Sequence, residues 1–315
     1  MNILTIVVPC YNEESVLEET TRQLSHVIEE LVDEKILSNQ SMILFVNDGS
    51  SDNTWSLIEK FHSINKYVCG VKLAKNEGHQ KALWAGLSVA SDISDITISI
   101  DADLQDDLDA IRKMVIKYNE GYDIVYGVRS ARKTDSWFKR TTALIFYSLM
   151  QKLGAKTVYN HADFRLMSRR ALKQLLEYKE RNLFLRGLVP LIGYHTTCVY
   201  YERKERFAGE SKYPLAKMIS FAVDGITSFS IKPIHFVFYL GLFFIIVALF
   251  ILIYVLHSYY TSHVVAGWSS LMLSIWFCSG CILIGLGIIG EYIGKIYIEV
   301  KNRPLYNIEK ILLHD

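Results

Sequence analysis

Two long stretches without a charged side chain constrain this chain more than any other feature. Residues 234–256 and 268–290 contain no Asp, Glu, Lys or Arg. As a helix, each is long enough to cross the roughly 30 Å hydrocarbon core of a bilayer. The alternative is a pair of buried core helices, but a soluble core seldom contains two uncharged helices of this length in succession. We therefore predict a transmembrane hairpin over residues 231–294.

The basic residues around this hairpin predict its orientation. The connecting loop, residues 257–267, has no Lys or Arg. Basic residues flank the hairpin instead, at Lys212, Lys217, Lys232, Lys295, Lys301 and Arg303. The positive-inside rule then places both termini in the cytoplasm and the loop outside. Because the N-terminal apolar run is short and lacks a basic region, we expect no signal peptide. Residues 1–230 and the tail, 295–315, are predicted to be cytoplasmic parts of a multi-pass plasma-membrane protein.

Composition excludes two broad classes of protein. Lys and Arg total 34 and Asp and Glu total 33, a net charge of +1, which does not favour a general nucleic-acid binder. The 5 scattered cysteines among 315 residues do not fit a disulfide-stapled secreted scaffold.

Residues 1–129 alternate between strand-like and helix-like patterns. Short apolar, β-branched runs predict strands at ILTIVVP, MILFV, VCGVKLA, ITISI and DIVYG. Apolar residues at helical spacing predict helices at 13–32, 55–64, 82–89 and 108–118, with Thr54 or Ser51 as the cap of the second. This alternation favours an open, mostly parallel sheet with helices on both faces.

Three polar clusters follow three of these strands. They are Tyr11-Asn12-Glu13, Asn47-Asp48-Gly49 and Asp101-Ala102-Asp103. In such sheets ligands bind beyond the carboxyl ends of the strands, so the clusters predict one binding crevice. The glycine fingerprint of dinucleotide binding, the phosphate loop and the G-x-S-x-G elbow are all missing from the sequence. Two closely spaced carboxylates suit Mg²⁺ or Mn²⁺, although a D-x-D alone is more often a solvated loop.

Several motifs together carry a family resemblance. IVVPCYNEE, VNDGSSDNT, ISIDADLQD, HADFRLMSRRAL and RFAGESKY occur in this order along the chain. With these motifs the chain resembles glycosyltransferase family 2, most closely the bacterial polyprenyl-phosphate glycosyltransferases and the related dolichyl-phosphate mannose synthases. The resemblance implies a GT-A fold, which is Rossmann-like with a mostly parallel sheet. It also implies inverting transfer of one sugar from a nucleotide sugar to a lipid phosphate.

The resemblance also implies roles on the donor side. Pro9, Tyr11 and Glu13 match positions that cradle the nucleoside, and Asp48 matches the aspartate that meets the base. A carboxylate accepting uracil N3–H would favour a UDP-sugar, whereas the structural alternative for Asp48 is a turn residue. The remaining matches are a metal-binding run, Asp101, Asp103 and Gln105, and donor contacts from Ala102, Lys75, Gly78, Arg206 and Lys212. Arg206 and Lys212 belong to a loop expected to close over the diphosphate.

On the acceptor side the resemblance implies two arginines, and the residue pattern predicts two interfacial helices. Arg129 and Arg140 match the arginines that bind the acceptor phosphate, which suits their planar, paired hydrogen-bond donors. Residues 137–153 and 213–231 fit amphipathic helices at the lipid boundary, although 137–153 would equally fit a helix packed on the core.

Asp163 matches the proposed catalytic carboxylate of the family. The second pKa of a phosphomonoester lies near 6, so the acceptor is already mostly a dianion at pH 7 and needs no strong base. Asp163 would then orient a sugar hydroxyl or stabilise developing positive charge. The structural alternative is an ion pair with Arg165 or Arg169.

We expect the donor to be UDP-glucose and the acceptor undecaprenyl phosphate, with UDP-N-acetylglucosamine as the alternative donor. The chain has no Q-x-x-R-W motif, which disfavours a processive polysaccharide synthase. The intact carboxylates disfavour an inactive membrane scaffold. Gly290 and Gly294 permit close helix approach, so a homo-oligomer, specifically a tetramer, is a further hypothesis.

Overall fold

A computed structural model describes residues 1–129, 161–202, 267–314 and scattered positions between 234 and 253. The described residues contain an eight-stranded sheet in the order β7-β5-β6-β4-β1-β2-β3-β8. Its strands are β1 (Leu4–Cys10), β2 (Met42–Asn47), β3 (Val68–Leu73), β4 (Ile96–Ser99), β5 (Ile124–Arg129), β6 (His161–Ser168), β7 (Thr196–Tyr201) and β8 (Ile308–Leu312). The helices are α1 (Leu17–Asp33), α2 (Thr54–Ile64), α3 (His79–Ile93), α4 (Asp109–Asn119), α5 (Arg169–Leu176), α6 (Leu185–Leu188) and α7 (Trp268–Lys301).

The sheet is mixed, although six of its eight strands run in the same direction, as predicted for a mostly parallel sheet. Strand β1 pairs in parallel with β2 and β4, β2 pairs in parallel with β3, and β5 with β7. Strand β6 lies between β4 and β5 and is antiparallel to both, and β8 is antiparallel to β3. The first five predicted strands are therefore confirmed, and two strands from later in the chain, β6 and β8, enter the sheet in the opposite direction.

Helices cover both faces of the sheet, as predicted. On one face α1, α2 and α4 pack against side chains such as Ile6 and Phe45, and on the other α3 packs against Val7 and Val46. A Cβ at Gly86 of α3 would lie 2.5 Å from Val7 Cγ1 and 2.6 Å from Val46 Cγ2. Glycine at this position therefore lets α3 approach the central strands closely.

The predicted starts of α1 and α2 need correction. Helix α1 begins at Leu17 rather than Glu13, because Glu13 O accepts turn hydrogen bonds from the N–H groups of Val16 and Leu17. The N-cap residue of α2 is Asn53, neither Thr54 nor Ser51, and it makes no side-chain capping bond. Asp52 Oδ1 instead accepts hydrogen bonds from Thr54 N and Oγ1, at 3.0 and 2.6 Å.

Within the described residues, one helix is long and apolar enough to cross a membrane, over Phe277–Lys301. It is part of α7, which begins at the predicted residue, Trp268, but continues beyond residue 290 until Asn302 adopts a left-handed conformation. The predicted boundary between hairpin and tail, at 294/295, therefore falls inside a continuous helix. Every described residue between 234 and 253 is helical. The predicted interfacial helices, 137–153 and 213–231, lie outside the described residues.

Candidate functional site

The candidate site lies at the carboxyl ends of β1, β2 and β4, next to the first turn of α3. Two loops at this edge are tied together by hydrogen bonds. Asn12 Oδ1 accepts from Ser51 N at 2.9 Å, and Glu13 N donates to Thr54 Oγ1 at 2.9 Å. Of the residues predicted to cradle a nucleoside, Pro9 is buried in β1, Tyr11 is exposed and Glu13 is half-buried. Pro9 thus lies near the end of β1, and Tyr11 and Glu13 lie in the loop that follows it.

Asp48 organises the neighbouring loop. Its buried carboxylate accepts hydrogen bonds from Glu77 N at 2.7 Å and Gly78 N at 2.9 Å. The adjacent Gly49 has a φ of 61°, and a Cβ there would lie 2.4 Å from Asn76 N. Asp48 therefore stabilises the local loop structure, in line with the alternative that it is a turn residue. Each carboxylate oxygen retains a further lone-pair site, so contact with a base stays a prediction.

The other predicted residues of this loop lie at its surface. Lys75 Nζ lies 3.3 Å from Glu77 Oε1 and its side chain is exposed. Gly78 is the N-cap residue of α3, with a φ of 93° that favours glycine. Helix α3 therefore begins directly after this loop.

The acidic run after β4 forms a tight turn. Asp103 Oδ1 accepts a hydrogen bond from Gln105 N at 3.2 Å, and the carbonyl of the buried Ala102 accepts one from Thr20 Oγ1 at 2.8 Å. The side chain of Asp101 is 38% exposed. Desolvation raises the pKa of Asp101, opposed by His79 and reinforced by the nearby carboxylates of Asp163, Asp106 and Asp103. A cluster of hard oxygen donors with mutual repulsion fits a divalent cation such as Mg²⁺ or Mn²⁺.

Asp163 is held by two arginines. Arg165 Nη2 donates to Asp163 Oδ1 at 2.6 Å, and Arg186 Nη2 donates to Asp163 Oδ2 at 3.0 Å. Burial opposes ionisation of Asp163, but the charges of Arg186 and Arg165 outweigh it and hold its pKa well below the usual range. The predicted alternative, an ion pair with Arg165, is present. Arg169 instead donates to Ser94 O and lies near Asp95.

His79 is a site residue that the sequence analysis missed. Its Nε2 lies 3.6 Å from Asp101 Oδ1 and 3.9 Å from Asp163 Oδ2, and its side chain is 40% exposed. It therefore lies between the acidic run and the buried ion pair. The available signal was a histidine directly after the Asn-Glu-Gly of the donor loop, but the predicted helix began three residues later, at Ala82.

Arg129, at the end of β5, is close to the acidic run. Its Nη2 donates to Asp106 Oδ1 at 3.2 Å, and Tyr201 donates from its hydroxyl to the same oxygen at 2.6 Å. Asp106 and Tyr201 are buried. The ion pair brings a guanidinium to the crevice, which is where an acceptor phosphate is predicted. Arg140, Arg206 and Lys212 lie outside the described residues.

The last turns of α7 contact the segment that leads to Arg186. Glu299 Oε1 accepts hydrogen bonds from Arg181 N at 2.8 Å and Asn182 N at 2.9 Å. A few residues later Leu185 N donates to Gln80 Oε1 at 3.2 Å, on α3 beside His79. The apolar helix is therefore joined to the candidate site through a short backbone segment.

Comparison with known proteins identifies the family of this chain. A sequence model of the family described as Glycosyl transferase family 2 matches residues 5–176, which span β1 to α5. Uncharacterized glycosyltransferase YkoT of Bacillus subtilis (strain 168) is 58% identical over 309 residues, covering 98% of this chain and 91% of that protein. The SfII prophage-derived bactoprenol glucosyl transferase of Shigella flexneri is 40% identical over 315 residues, covering 98% of this chain and 97% of that protein.

A further relative has the same extent. The prophage bactoprenol glucosyl transferase homolog of Escherichia coli (strain K12) is 38% identical over 316 residues, covering 98% of this chain and 99% of that protein. The similarity thus spans the catalytic sheet, the apolar helix and the C-terminal strand together. The chain is a glycosyltransferase and belongs to glycosyltransferase family 2.

Proposed function

We propose that this protein transfers a single glucose residue, with inversion, from UDP-glucose to a polyprenyl phosphate such as undecaprenyl phosphate at the cytoplasmic face of the plasma membrane. One observation carries the proposal. His79 Nε2 lies within 4 Å of a carboxylate oxygen of both Asp101 and Asp163, in a chain that also has an apolar helix long enough to cross a membrane. Relatives named bactoprenol glucosyl transferase, similar along almost the whole chain, support the lipid acceptor.

The acidic run supplies the donor end of the site. Asp101, Asp103 and Gln105 would hold Mg²⁺ or Mn²⁺, which when bound would neutralise the donor diphosphate and stabilise the leaving group. Asp48, with a spare lone-pair site on each oxygen, would accept uracil N3–H, while Tyr11 would flank the nucleoside from its exposed position in the adjoining loop.

Asp163 acts as an anion rather than as a base. Two guanidinium partners hold its pKa low, so it is a poor proton acceptor near neutral pH. The acceptor does not need deprotonation, because the phosphate is mostly a dianion above about pH 6. Asp163 and its arginines therefore fix the charge distribution beside the anomeric carbon, and Arg129 binds the incoming phosphate.

The membrane part completes the proposal. Spans over residues 234–256 and 268–290 form a hairpin with both termini cytoplasmic. Support comes from the exposed apolar side chains all along α7, including Leu271, Ile282, Leu286 and Ile293, which would be costly to leave in water. A cysteine introduced at Thr261 should then react with an impermeant thiol reagent from outside the cell, whereas labelling only after the inner face is opened would refute this orientation.

The test of the activity is a transfer assay with purified full-length protein in detergent. Undecaprenyl phosphate and Mn²⁺ are supplied with labelled UDP-glucose, UDP-N-acetylglucosamine or GDP-mannose, and label is counted in the organic phase. We expect label from UDP-glucose to enter the lipid phase only with the phosphorylated lipid, not with undecaprenol. The Asp103→Ala variant should lose most turnover. Transfer from UDP-N-acetylglucosamine alone would correct the sugar, and label in a polymer would contradict single-sugar transfer.

A further inference from the structure

A second group of metal-binding side chains lies on the opposite edge of the sheet from β7, away from the acidic run. His62 is near the end of α2, Cys69 is in β3, and His314 follows β8. We propose that His62, Cys69 and His314 form a zinc-binding site that fastens the C-terminal segment to the sheet. This proposal does not depend on the glycosyl donor or acceptor.

The three side chains are close enough to share one ion. One ligand atom from each lies within 4.8 Å of the other two. The imidazole rings of His62 and His314 are stacked, with centroids 4.1 Å apart and planes inclined by 23°. Cys69 is buried, whereas His62 is half-buried and His314 is exposed. In a tetrahedral zinc site Zn–N is about 2.0–2.1 Å and Zn–S about 2.3 Å, so binding of an ion would require the three ligand atoms to draw closer together.

The hydrogen bonds of both rings leave one nitrogen of each able to bind a metal. His62 Nδ1 lies 2.6 Å from Val68 O, and His314 Nε2 lies 3.0 Å from the same oxygen. A carbonyl oxygen can only accept, so each of these nitrogens carries the proton. The lone pair of neutral imidazole is then on His62 Nε2 and His314 Nδ1. Metal-ligating histidines are usually held in this way, with the second ring nitrogen donating to a backbone carbonyl or a carboxylate.

The ligand types select zinc over the ion expected at the acidic run. Two imidazole nitrogens and a thiolate suit Zn²⁺, whereas the carboxylate oxygens of Asp101 and Asp103 suit Mg²⁺ or Mn²⁺. Cys69 would lose its thiol proton on binding, and a water molecule would supply the fourth ligand.

The position of the site predicts how a bound ion would affect the fold. Its ligands come from α2, β3 and the segment beyond β8, and β8 is a short strand at the sheet edge. Strand β8 also follows the apolar helix α7 in the chain. A bound ion would therefore hold the segment after the membrane helix against the catalytic sheet. Metal binding and local ordering of β8 should be coupled.

The experiment measures zinc bound by the purified full-length protein. The Asp103→Ala variant is used as the background so that the acidic run does not compete. After chelator treatment, ZnCl₂ is added, the protein is dialysed, and zinc is measured by inductively coupled plasma mass spectrometry. We expect one zinc per chain in this background. Cys69→Ser and His314→Ala should each weaken binding by about 100-fold or more, since even loss of an outer-shell partner typically costs 10–100-fold.

Matched variants and a spectroscopic readout make the result specific. Cys198→Ser and His26→Ala remove a cysteine and a histidine elsewhere and should keep the zinc. With Co²⁺ in place of Zn²⁺, a sulfur-to-metal charge-transfer band should appear and should be missing in Cys69→Ser. Amide exchange in Ile308–Leu312 should slow when zinc is added.

Folding of the variants is checked by circular dichroism. Because Cys69 is buried, Cys69→Ser could disturb the sheet, but His314→Ala replaces an exposed side chain next to the chain end and keeps the proposal falsifiable. Failure of the background protein to retain zinc would overturn it. Equal retention by His314→Ala would overturn it as well, because the ion would then be bound elsewhere.

Discussion

Arg165 Nη2 donates a 2.6 Å hydrogen bond to Asp163 Oδ1, and the two side chains are 1% and 8% exposed. Removing one member of a buried ion pair typically costs about 3–5 kcal/mol, and Arg186 would still compensate part of the Asp163 charge, so the lower end of this range applies. We therefore expect Arg165→Leu to lower the free energy of unfolding by about this amount, measured by urea denaturation in detergent. The control is Arg22→Ala, which breaks an exposed pair with Glu19 and should cost far less, because solvent screens exposed charges. An equal loss in both variants would contradict the importance of burial.

The pH dependence of transfer should follow the acceptor and not Asp163. Its arginine partners lower the pKa of Asp163, so this side chain stays ionised throughout the range in which the acceptor phosphate titrates. As pH falls through about 6, the phosphate gains its second proton and the rate should fall. Asp163→Asn should leave a slow residual rate with the same acidic limb, measured with saturating UDP-glucose. Complete loss at every pH would instead indicate an obligatory base.

His79 should contribute to turnover more than to folding. It lies within 4 Å of both Asp101 and Asp163 and is 40% exposed. Because removing one preorganised electrostatic contact from an active site typically lowers kcat by about 100-fold or more, we expect His79→Ala to lower kcat by about that factor. Circular dichroism and the thermal midpoint should change little. The matched control His26→Ala, on the exposed face of α1, should keep full activity.

Arg129→Lys tests which substrate this arginine binds. Lysine keeps the charge near Asp106 but loses the planar pair of donors that suits a phosphate. We expect KM for undecaprenyl phosphate to rise about tenfold, with KM for UDP-glucose nearly unchanged. Weaker UDP-glucose binding with an unchanged KM for undecaprenyl phosphate would show that Arg129 binds the donor and not the acceptor.

Glu299 should link the membrane helix to the site. Its carboxylate accepts backbone hydrogen bonds from Arg181 and Asn182, shortly before Arg186 in the chain. We expect Glu299→Ala to lower kcat severalfold, because Arg186 and hence Asp163 lose part of their positioning, and Glu299→Gln to recover part of it by retaining one acceptor oxygen. Glu309→Ala, which removes an exposed carboxylate paired with Lys72, is the control and should keep full activity. Equal rates in Glu299→Ala and Glu309→Ala would contradict the link.

Local patterns were enough to predict much of the fold. Strands β1 to β5 and helices α1 to α4 are each encoded by a nearby run of apolar residues, so their positions could be predicted within a few residues. The acidic run after β4 could be predicted too, because it follows its strand directly. Strand β6 could not, since its place between β4 and β5 depends on pairing with residues 33 or more positions away in the chain, as in the pair Val128 and His161.

The sequence by itself determined strands β1 to β5, helices α1 to α4, the long apolar helix and the identity of the carboxylates. Only the tertiary structure decided what surrounds them. Arg186 meets Asp163 from 23 residues away, and His79 meets Asp163 across 84 positions. Glu299 meets Arg181 from 118 residues away. The physical reason is that hydrophobic periodicity is a local property, whereas the charge state and orientation of a site residue depend on which distant side chains the folded sheet brings within a few ångströms.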